Sequence, residues 1–519
     1  MIHHSRFPDV TIPEQALTPY VLAKASQLGD RPALVDGPTG RTLTYASLLG
    51  GVRSLAGGLA AKGFGPGHVL GVLAPNVPEY AIVFHGAAFA GGAVTTINPT
   101  YTDREVHHQL MDSGAELLVT IPMFLETARK AVEGTSVEEI FVLGEAEGVR
   151  SVTALFGKPL AEQAAVGLGD AVVLPYSSGT TGLAKGVVLT HRNLVANLAQ
   201  IEPMIDFGEH ERTVAFLPFF HIYGMQVLMN HGLAHGATVI TMPRFDLEMF
   251  LKILQDERIT RAFVAPPIVV ALAKHPMVEQ FDLSALDQVF SGAAPLSAEL
   301  AIETGKRIGC EVVQGYGMTE LSPVTHATPP GHVKPGSVGM LVPNTELTVI
   351  DTSTGSPLGL DEDGEVWVRG PQVMKGYLNN PGATSATIDK DGWLHTGDIG
   401  HVDADGHLYV VDRLKELIKY KGFQVPPAEL EALLLSHPAV ADAAVIGLPD
   451  DEAGEIPVAY VVLKAGASAS AAELAEHVAG QVAHYKQIRR VEFIDAVPKS
   501  ASGKILRRIL KDQAIKTGA

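Results

Sequence analysis

The stretch Ala171-Val172-Val173-Leu174-Pro175-Tyr176-Ser177-Ser178-Gly179-Thr180-Thr181-Gly182-Leu183-Ala184-Lys185-Gly186-Val187-Val188-Leu189-Thr190 sets two β-branched apolar runs around a loop of glycines and hydroxyls. Runs of this length and branching read as buried strands, so the polar residues between them form the connection. Gly179 and Gly182 let the backbone approach a ligand closely. Ser177, Ser178, Thr180 and Thr181 offer donors, and Lys185 adds a fixed positive charge. Those are the parts of a phosphate-binding loop. The Walker pattern is excluded, because Lys185 comes three residues after Gly182 and Gly186 stands where Ser or Thr would hold magnesium. The competing reading is a solvated Ser/Thr/Gly turn.

Outward from this loop, short apolar runs alternate with amphipathic stretches. Ala33 to Asp36 and Thr42 to Tyr45 flank a turn at Gly37-Pro38, and Leu48 to Lys62 has helical spacing. Val69 to Leu73 is a strand, Tyr80 to Gly91 a buried helix, and Ala93 to Ile97 a further strand. The pattern returns at Glu139 to Leu143, Thr213 to Leu217, Thr238 to Thr241 and Arg261 to Ala265. Such alternation points to parallel sheets covered by helices. From Gly336 to Gly370 the runs are closely spaced with polar turns, as in an antiparallel barrel or meander. The expected boundary is Val411-Asp412-Arg413-Leu414-Lys415. Beyond it lie a helix from Pro427 to Ser436, strands from Val440 to Ile446 and Val458 to Leu463, a helix from Ala471 to Ala483, and a lysine-rich tail. The fold class is therefore α/β. A large N-terminal domain (1–412) combines parallel helix-covered sheets with a small antiparallel barrel, and a small α+β domain (413–519) follows.

At 519 residues the chain exceeds one compact core. The 53 glycines and 33 prolines are spread along it, which fits many tight connections rather than a disordered tract. A net charge of −18 argues against general nucleic-acid binding, so a polyanionic ligand must be held by local positive charge. Tyr80 to Val94 is too short for a membrane span and His85 interrupts it. The first six residues lack the basic-then-apolar pattern of a secretory signal. The single cysteine, Cys310, excludes an internal disulfide framework and fits a reducing, cytoplasmic setting.

Five further stretches carry more chemistry than a scaffold needs. Phe219-Phe220-His221-Ile222-Tyr223-Gly224 puts aromatics and a histidine directly after a strand. Ser291-Gly292-Ala293-Ala294-Pro295 would let a flat ring pack on backbone. In Gln314-Gly315-Tyr316-Gly317-Met318-Thr319-Glu320, Tyr316 offers a stacking face, and Thr319 and Glu320 offer oxygens to phosphate and a hard cation. In Trp393-Leu394-His395-Thr396-Gly397-Asp398, a turn aspartate could accept a pair of ribose hydroxyls. Pro498-Lys499-Ser500-Ala501-Ser502-Gly503-Lys504 presents a lysine on a loop. Singly, each also reads as a turn, a core residue or a solvated charge.

In this order, from about Tyr45 to Leu510, the stretches resemble the adenylate-forming superfamily of acyl-CoA synthetases, luciferases and nonribosomal adenylation domains. Leu217 to Tyr223 and Lys415 to Val425 are most similar to 4-coumarate:CoA ligases. The resemblance implies an ATP-dependent acid–CoA ligase that joins a carboxylic acid of the coumarate or cinnamate type to AMP, releases pyrophosphate and passes the acyl group to coenzyme A. It implies that Ser177, Ser178, Gly179, Thr180, Thr181 and Lys185 hold phosphates and Glu320 magnesium. Ala293, Gln314, Gly315 and Tyr316 would line the adenine, with Thr319 at the α-phosphate and Asp398 and Arg413 at the ribose. Lys504 would support adenylation, with His221 also catalytic. Lys419 and Gln424 would touch the adenylate, and Arg244, Lys421 and Gly422 coenzyme A. The resemblance also implies that the small domain is mobile, with its hinge near Lys415, which would be the pivot. Ile222, Tyr223, Gln226, Gly292, Gly315, Pro323 and Val324 would surround the acyl group. The implied partners are the acid, ATP and coenzyme A, with no nucleic acid, and the implied assembly a monomer or homodimer.

Three departures bear on this reading. Ala184 replaces a common loop proline, Gln226 a common asparagine, and Leu321-Ser322 small residues. The alternative acid is a medium-chain fatty acid. A nonribosomal adenylation domain fits less well, because His221 stands where an aspartate would meet an ammonium group. A non-catalytic nucleotide-binding scaffold would be expected to lack Lys504 or Glu320, and both are present.

Overall fold

The computed structural model describes residues 1–177, 184–205, 207–208, 210–421, 423–450, 452–500 and 503–516. Among them the strands form five sheets. The first is mixed and eight-stranded. Its parallel part runs Ala171–Ser177, Ala93–Ile97, Val69–Leu73, Leu117–Thr120, Glu139–Val142 and Arg150–Ser151. Lys185–Thr190 and then Gly376–Tyr377 extend it antiparallel on the other side. The helix Glu79–Phe89 is buried almost all round, which its apolar sequence requires. It packs against Tyr45–Ala61, a helix that starts earlier than its apolar spacing indicates because Thr44 caps the Ser47 amide.

The remaining strand–helix units divide between two sheets. Arg212–Ala215 and Thr238–Thr241 continue in parallel onto Pro32–Asp36. Arg261–Val264, Gln288–Ser291 and Glu311–Gly317 are also parallel, and Val324–Ala327 and Met340–Leu341 follow antiparallel. The antiparallel unit is a meander of Glu346–Ile350, Gly364–Arg369, Leu394–Val402 and Leu408–Arg413, edged by the N-terminal strand Ile2–His4.

The last sheet joins Phe423–Val425, Ile418–Tyr420, Gly454–Leu463 and Val440–Asp450, with Arg490–Phe493 beside Gly454–Leu463. Its two long strands extend well past the apolar runs that signal them. The helix Ala471–Ala479 ends short of Ala483, at Gly480. Val440, Val445 and Val461 pack with Leu430, Leu434 and Leu474 on one face. Ile446, Val458 and Leu510 pack on the other, which seats the C-terminal helix Arg507–Lys516. No described helix is long and apolar enough to cross a membrane.

Candidate active site

A cavity of about 1010 Å³ opens where the ends of three sheets meet the C-terminal tail. Its first wall is the mouth of the Ala171–Ser177 and Lys185–Thr190 pair, where Ser177 and Lys185 are cross-strand partners. Facing them is Glu320, in the single turn Thr319–Leu321 and 5% exposed. Its Oε1 accepts from Ser177 Oγ at 3.1 Å and from the Tyr377 hydroxyl at 2.8 Å. The Lys185 ammonium lies 5.0 Å from the centre of the Tyr377 ring, in cation–π range. Among the described residues no group of three or more His, Cys, Asp or Glu side chains could hold a metal. A cation here would therefore rest on one carboxylate and on a ligand's own phosphate oxygens, a donor set suited to magnesium.

The second wall recruits a polar cluster. Asp398 and Arg413 are opposed across antiparallel strands, and Arg413 Nε sits 3.2 Å from Asp398 Oδ1. The Tyr316 hydroxyl donates to Asp398 Oδ2 at 2.5 Å. Burial, with Asp398 behind it, raises the Tyr316 phenol well above its usual range. Asp398 lies within the strand Leu394–Val402 and not in a turn, since it pairs with Arg413 across the sheet, although Gly397 before it takes φ +71° and kinks the strand locally. Gly317 permits the close approach of the next segment, since a Cβ there would lie 2.0 Å from the Pro323 carbonyl oxygen. Gly315, Tyr316 and Thr319 line the cavity, and so does Ala293, a non-glycine residue at φ +73°. Gln314 does not line it. Its amide both donates to and accepts from the Leu296 backbone, which makes it a brace for the 292–296 loop.

The third wall is apolar. Tyr223–Asn230 winds as a π-helix, a geometry that recurs at functional sites. Tyr223 and Val227 line the cavity, together with Ile205, Ile222, Phe290, Gly292, Pro323 and Val324. Gln226 does not. Residues three apart are about 60° apart around an α-helix but roughly 115° apart when bonds run i→i+5. Gln226 is thereby turned away and fully buried, its Nε2 donating to the Leu194 carbonyl at 2.8 Å and its Oε1 accepting from Asn230 at 3.0 Å.

Lys504 enters from the tail. Burial and the nearby Arg413 push its pKa down to about 8, while Glu416, Asp398 and Glu320 pull it up. Gly503, at φ +83°, lets the loop lie against the large domain, where its Cβ position is 3.2 Å from Ala265 and 3.5 Å from Pro267. Burial and the Lys504 charge lower His221 to about 4, so it is neutral at pH 7. Its Nδ1 accepts from the Tyr223 amide at 3.3 Å, which leaves Nε2 carrying the proton.

Lys415 is exposed at the cavity edge. Ser178, Gly179, Thr180, Thr181 and Gly422 lie outside the described residues. Lys419, Lys421, Gln424 and Arg244 are exposed and do not line the cavity. The first three belong to the hairpin at one edge of the last sheet, while the Lys504 tail packs on the strand Val440–Asp450 at the other. With the tail at the cavity, this arrangement does not bring Lys419, Lys421 or Gln424 to its lining. The sequence reading missed Tyr377, Ile205, Val227 and Phe290. Alternation back from Gly292 places Phe290 on the same face and could have found it. Nothing in Lys375-Gly376-Tyr377 signals a partner for Glu320.

The model of AMP-binding enzymes matches residues 21–378, and that of the AMP-binding enzyme C-terminal domain matches 429–504. A 4-coumarate–CoA ligase 3 of Oryza sativa subsp. japonica is 45% identical over 523 residues, covering 98% of this chain and 94% of its own. Among solved structures, the anthranilate CoA ligase AuaEII with anthranoyl-AMP superposes at TM-score 0.90 with 27% identity, covering 99% of both chains. ATP-bound MatB from Rhodopseudomonas palustris gives 0.87 with 28% identity, covering 97% of this chain and 100% of that one.

Proposed function

Because the chain belongs to the AMP-binding enzyme family and is an AMP-forming acid–CoA ligase that uses ATP and coenzyme A, we propose that its acid is an aromatic propenoic acid of the coumarate and cinnamate type. The observation that carries this reading is the apolar wall beside the polar ones, into which Tyr223 and Phe290 bring aromatic rings. A Cβ at Gly292 would be 3.0 Å from the Tyr223 ring, and one at Gly315 would be 2.6 Å from Phe290. Both glycines let these rings pack close against the backbone of the site, which gives the apolar wall two aromatic groups for a planar acid to meet. The names of the plant relatives point the same way. Initial rates of thioester formation with cinnamate, coumarate, ferulate and octanoate test it. The aromatic acids should lead by kcat/KM, and a faster reaction with octanoate would replace this reading with a medium-chain fatty acid.

A carboxylate is a poor electrophile, and the residues divide the work of activating it. Ser177 and Lys185 bind phosphate oxygens, with the hydroxyls of 178–181. Glu320 holds magnesium, which neutralises phosphate charge when bound. Tyr316 and the backbone of Ala293 and Gly315 take the adenine, and Arg413, fixed by Asp398, takes the ribose. Protonated Lys504 meets the oxygens where negative charge develops, in a site already ordered to receive it. His221, held neutral by burial and the lysine, keeps its Nε2 proton as a donor to the acyl oxygen.

The second half-reaction requires another arrangement. The body up to the strand Leu408–Arg413 stays fixed, and the residues after Lys415 turn about it to exchange the Lys504 tail for the hairpin with Lys419, Lys421, Gly422 and Gln424. Arg244, exposed on the large body, would meet coenzyme A in that arrangement. Proline permits only φ near −65°. Lys415→Pro should therefore leave pyrophosphate release while thioester formation collapses. Wild-type thioester rates in that variant would exclude Lys415 as the pivot.

A further inference from the structure

Beside Lys504, at the edge of the cavity, lies an ion-pair cluster to which no step above gives a role. Arg507, three residues on, is 12% exposed by side chain. Its Nη2 donates to both carboxylate oxygens of Glu431 at 2.7 Å, and its Nε donates to the Val445 carbonyl at 3.1 Å. Its Nη1 pairs with Glu416, the residue next to the pivot. The Glu416 amide in turn donates to the Arg413 carbonyl at 2.9 Å, and Arg413 is the cation against Asp398. One guanidinium thus connects the tail, the core of the small domain and the segment that leads into the nucleotide wall.

The described residues on either side of 501–502 are bonded to one another. Ser500 N donates to the Lys504 carbonyl at 2.8 Å, and Lys504 N donates to Ser500 Oγ at 3.1 Å. Leu506 N donates to the Pro498 carbonyl at 2.8 Å, and Lys499 pairs with Asp442 at 2.6 Å. These bonds tie Lys504 and Leu506 into one segment, and Arg507 is the next residue along it. The Arg507 contacts are also wasteful for stability alone. A buried arginine between two carboxylates is often no better than packed apolar side chains, but its planar fork fixes direction as a lysine or an apolar group cannot.

We propose that Arg507, seated by Glu431 and Glu416, is a positioning residue that aims Lys504 at the reacting oxygens during adenylation. The inference rests on the role given above to Lys504. A misplacement of about 1 Å away from the chemistry can cost on the order of 100-fold.

The test uses the full-length enzyme and separates pyrophosphate release from thioester formation on supplied cinnamoyl-AMP and coenzyme A. Arg507→Lys should lower the adenylation kcat by about 10- to 100-fold. The KM for ATP should hold and the second half-reaction should be unchanged. Glu416→Gln, which leaves the Glu431 pair intact and is the gentler change to the fold, should show the same pattern with a smaller loss. Equal loss in both half-reactions, or a loss confined to the KM for ATP, would overturn the proposal in favour of a purely structural role. Lys504→Ala is measured beside them. If it abolishes adenylation while Arg507→Lys and Glu416→Gln do not, only the positioning role falls. If it spares adenylation, the role of Lys504 falls and this proposal with it.

Discussion

Replacing Gln226 by alanine is expected to weaken the fold and leave the choice of acid unchanged. The side chain is fully buried, gives one hydrogen bond to the Leu194 carbonyl at 2.8 Å and receives one from Asn230 at 3.0 Å. Truncation leaves a buried carbonyl and a buried amide each short of a partner, at about 1–3 kcal/mol apiece. The void adds to this, although nearby side chains can relax into part of it. The sum is roughly 3–5 kcal/mol. Two domains make a single unfolding free energy ill-defined, so the readout is the urea midpoint of the large domain's own transition. That midpoint should fall clearly. The ratio of kcat/KM for cinnamate over octanoate should stay at the wild-type value in the same preparation. A tenfold shift in that ratio with an unmoved midpoint would refute the geometry, because it would mean that Gln226 touches the acid.

The charge on Lys504 gives a pH dependence with a definite sign. Its pKa is depressed to about 8, so the working ammonium is present below that value and is lost as pH rises through it. The kcat/KM for adenylation, which reports the free enzyme, should show an alkaline limb near pH 8, and Lys504→Arg should remove that limb. Tyr377→Phe keeps the ring under Lys185 and deletes the 2.8 Å bond to Glu320. A bond to a charged group is worth about 1.5–3 kcal/mol, so the KM for ATP in pyrophosphate release should rise about tenfold or more, with the reaction on supplied acyl-AMP little altered.

The parts of this protein that were legible in its sequence are the local ones. The apolar runs on either side of Ser177 to Lys185 are a strand pair, and Pro427–Ser436 is a helix over the expected span. Which strands share a sheet was not legible. Pro32–Asp36 pairs with Thr238–Thr241, and Ile2–His4 with Glu346–Ile350, across hundreds of residues, and apolar runs carry no mark of their partner. Site residues failed where backbone detail decided orientation. Gln226 looks like a neighbour of Tyr223 if the segment is an α-helix, and the π-winding turns it away. Asp398 follows a glycine and so resembles a turn residue, yet it belongs to a strand with a local kink. Arg507 sits in a basic tail and gives no hint of its two carboxylate partners, which arrive from 76 and 91 residues away.

The most direct test of the whole account is Lys504→Ala assayed in separate half-reactions. Cinnamate, ATP and magnesium measure pyrophosphate release, and supplied cinnamoyl-AMP with coenzyme A measures thioester formation. With Lys504 supplying charge only where the acyl phosphate bond forms, the first rate should fall by about two to three orders of magnitude, and the second should remain close to wild type. An equal fall in both rates, or an intact first rate, would contradict the account.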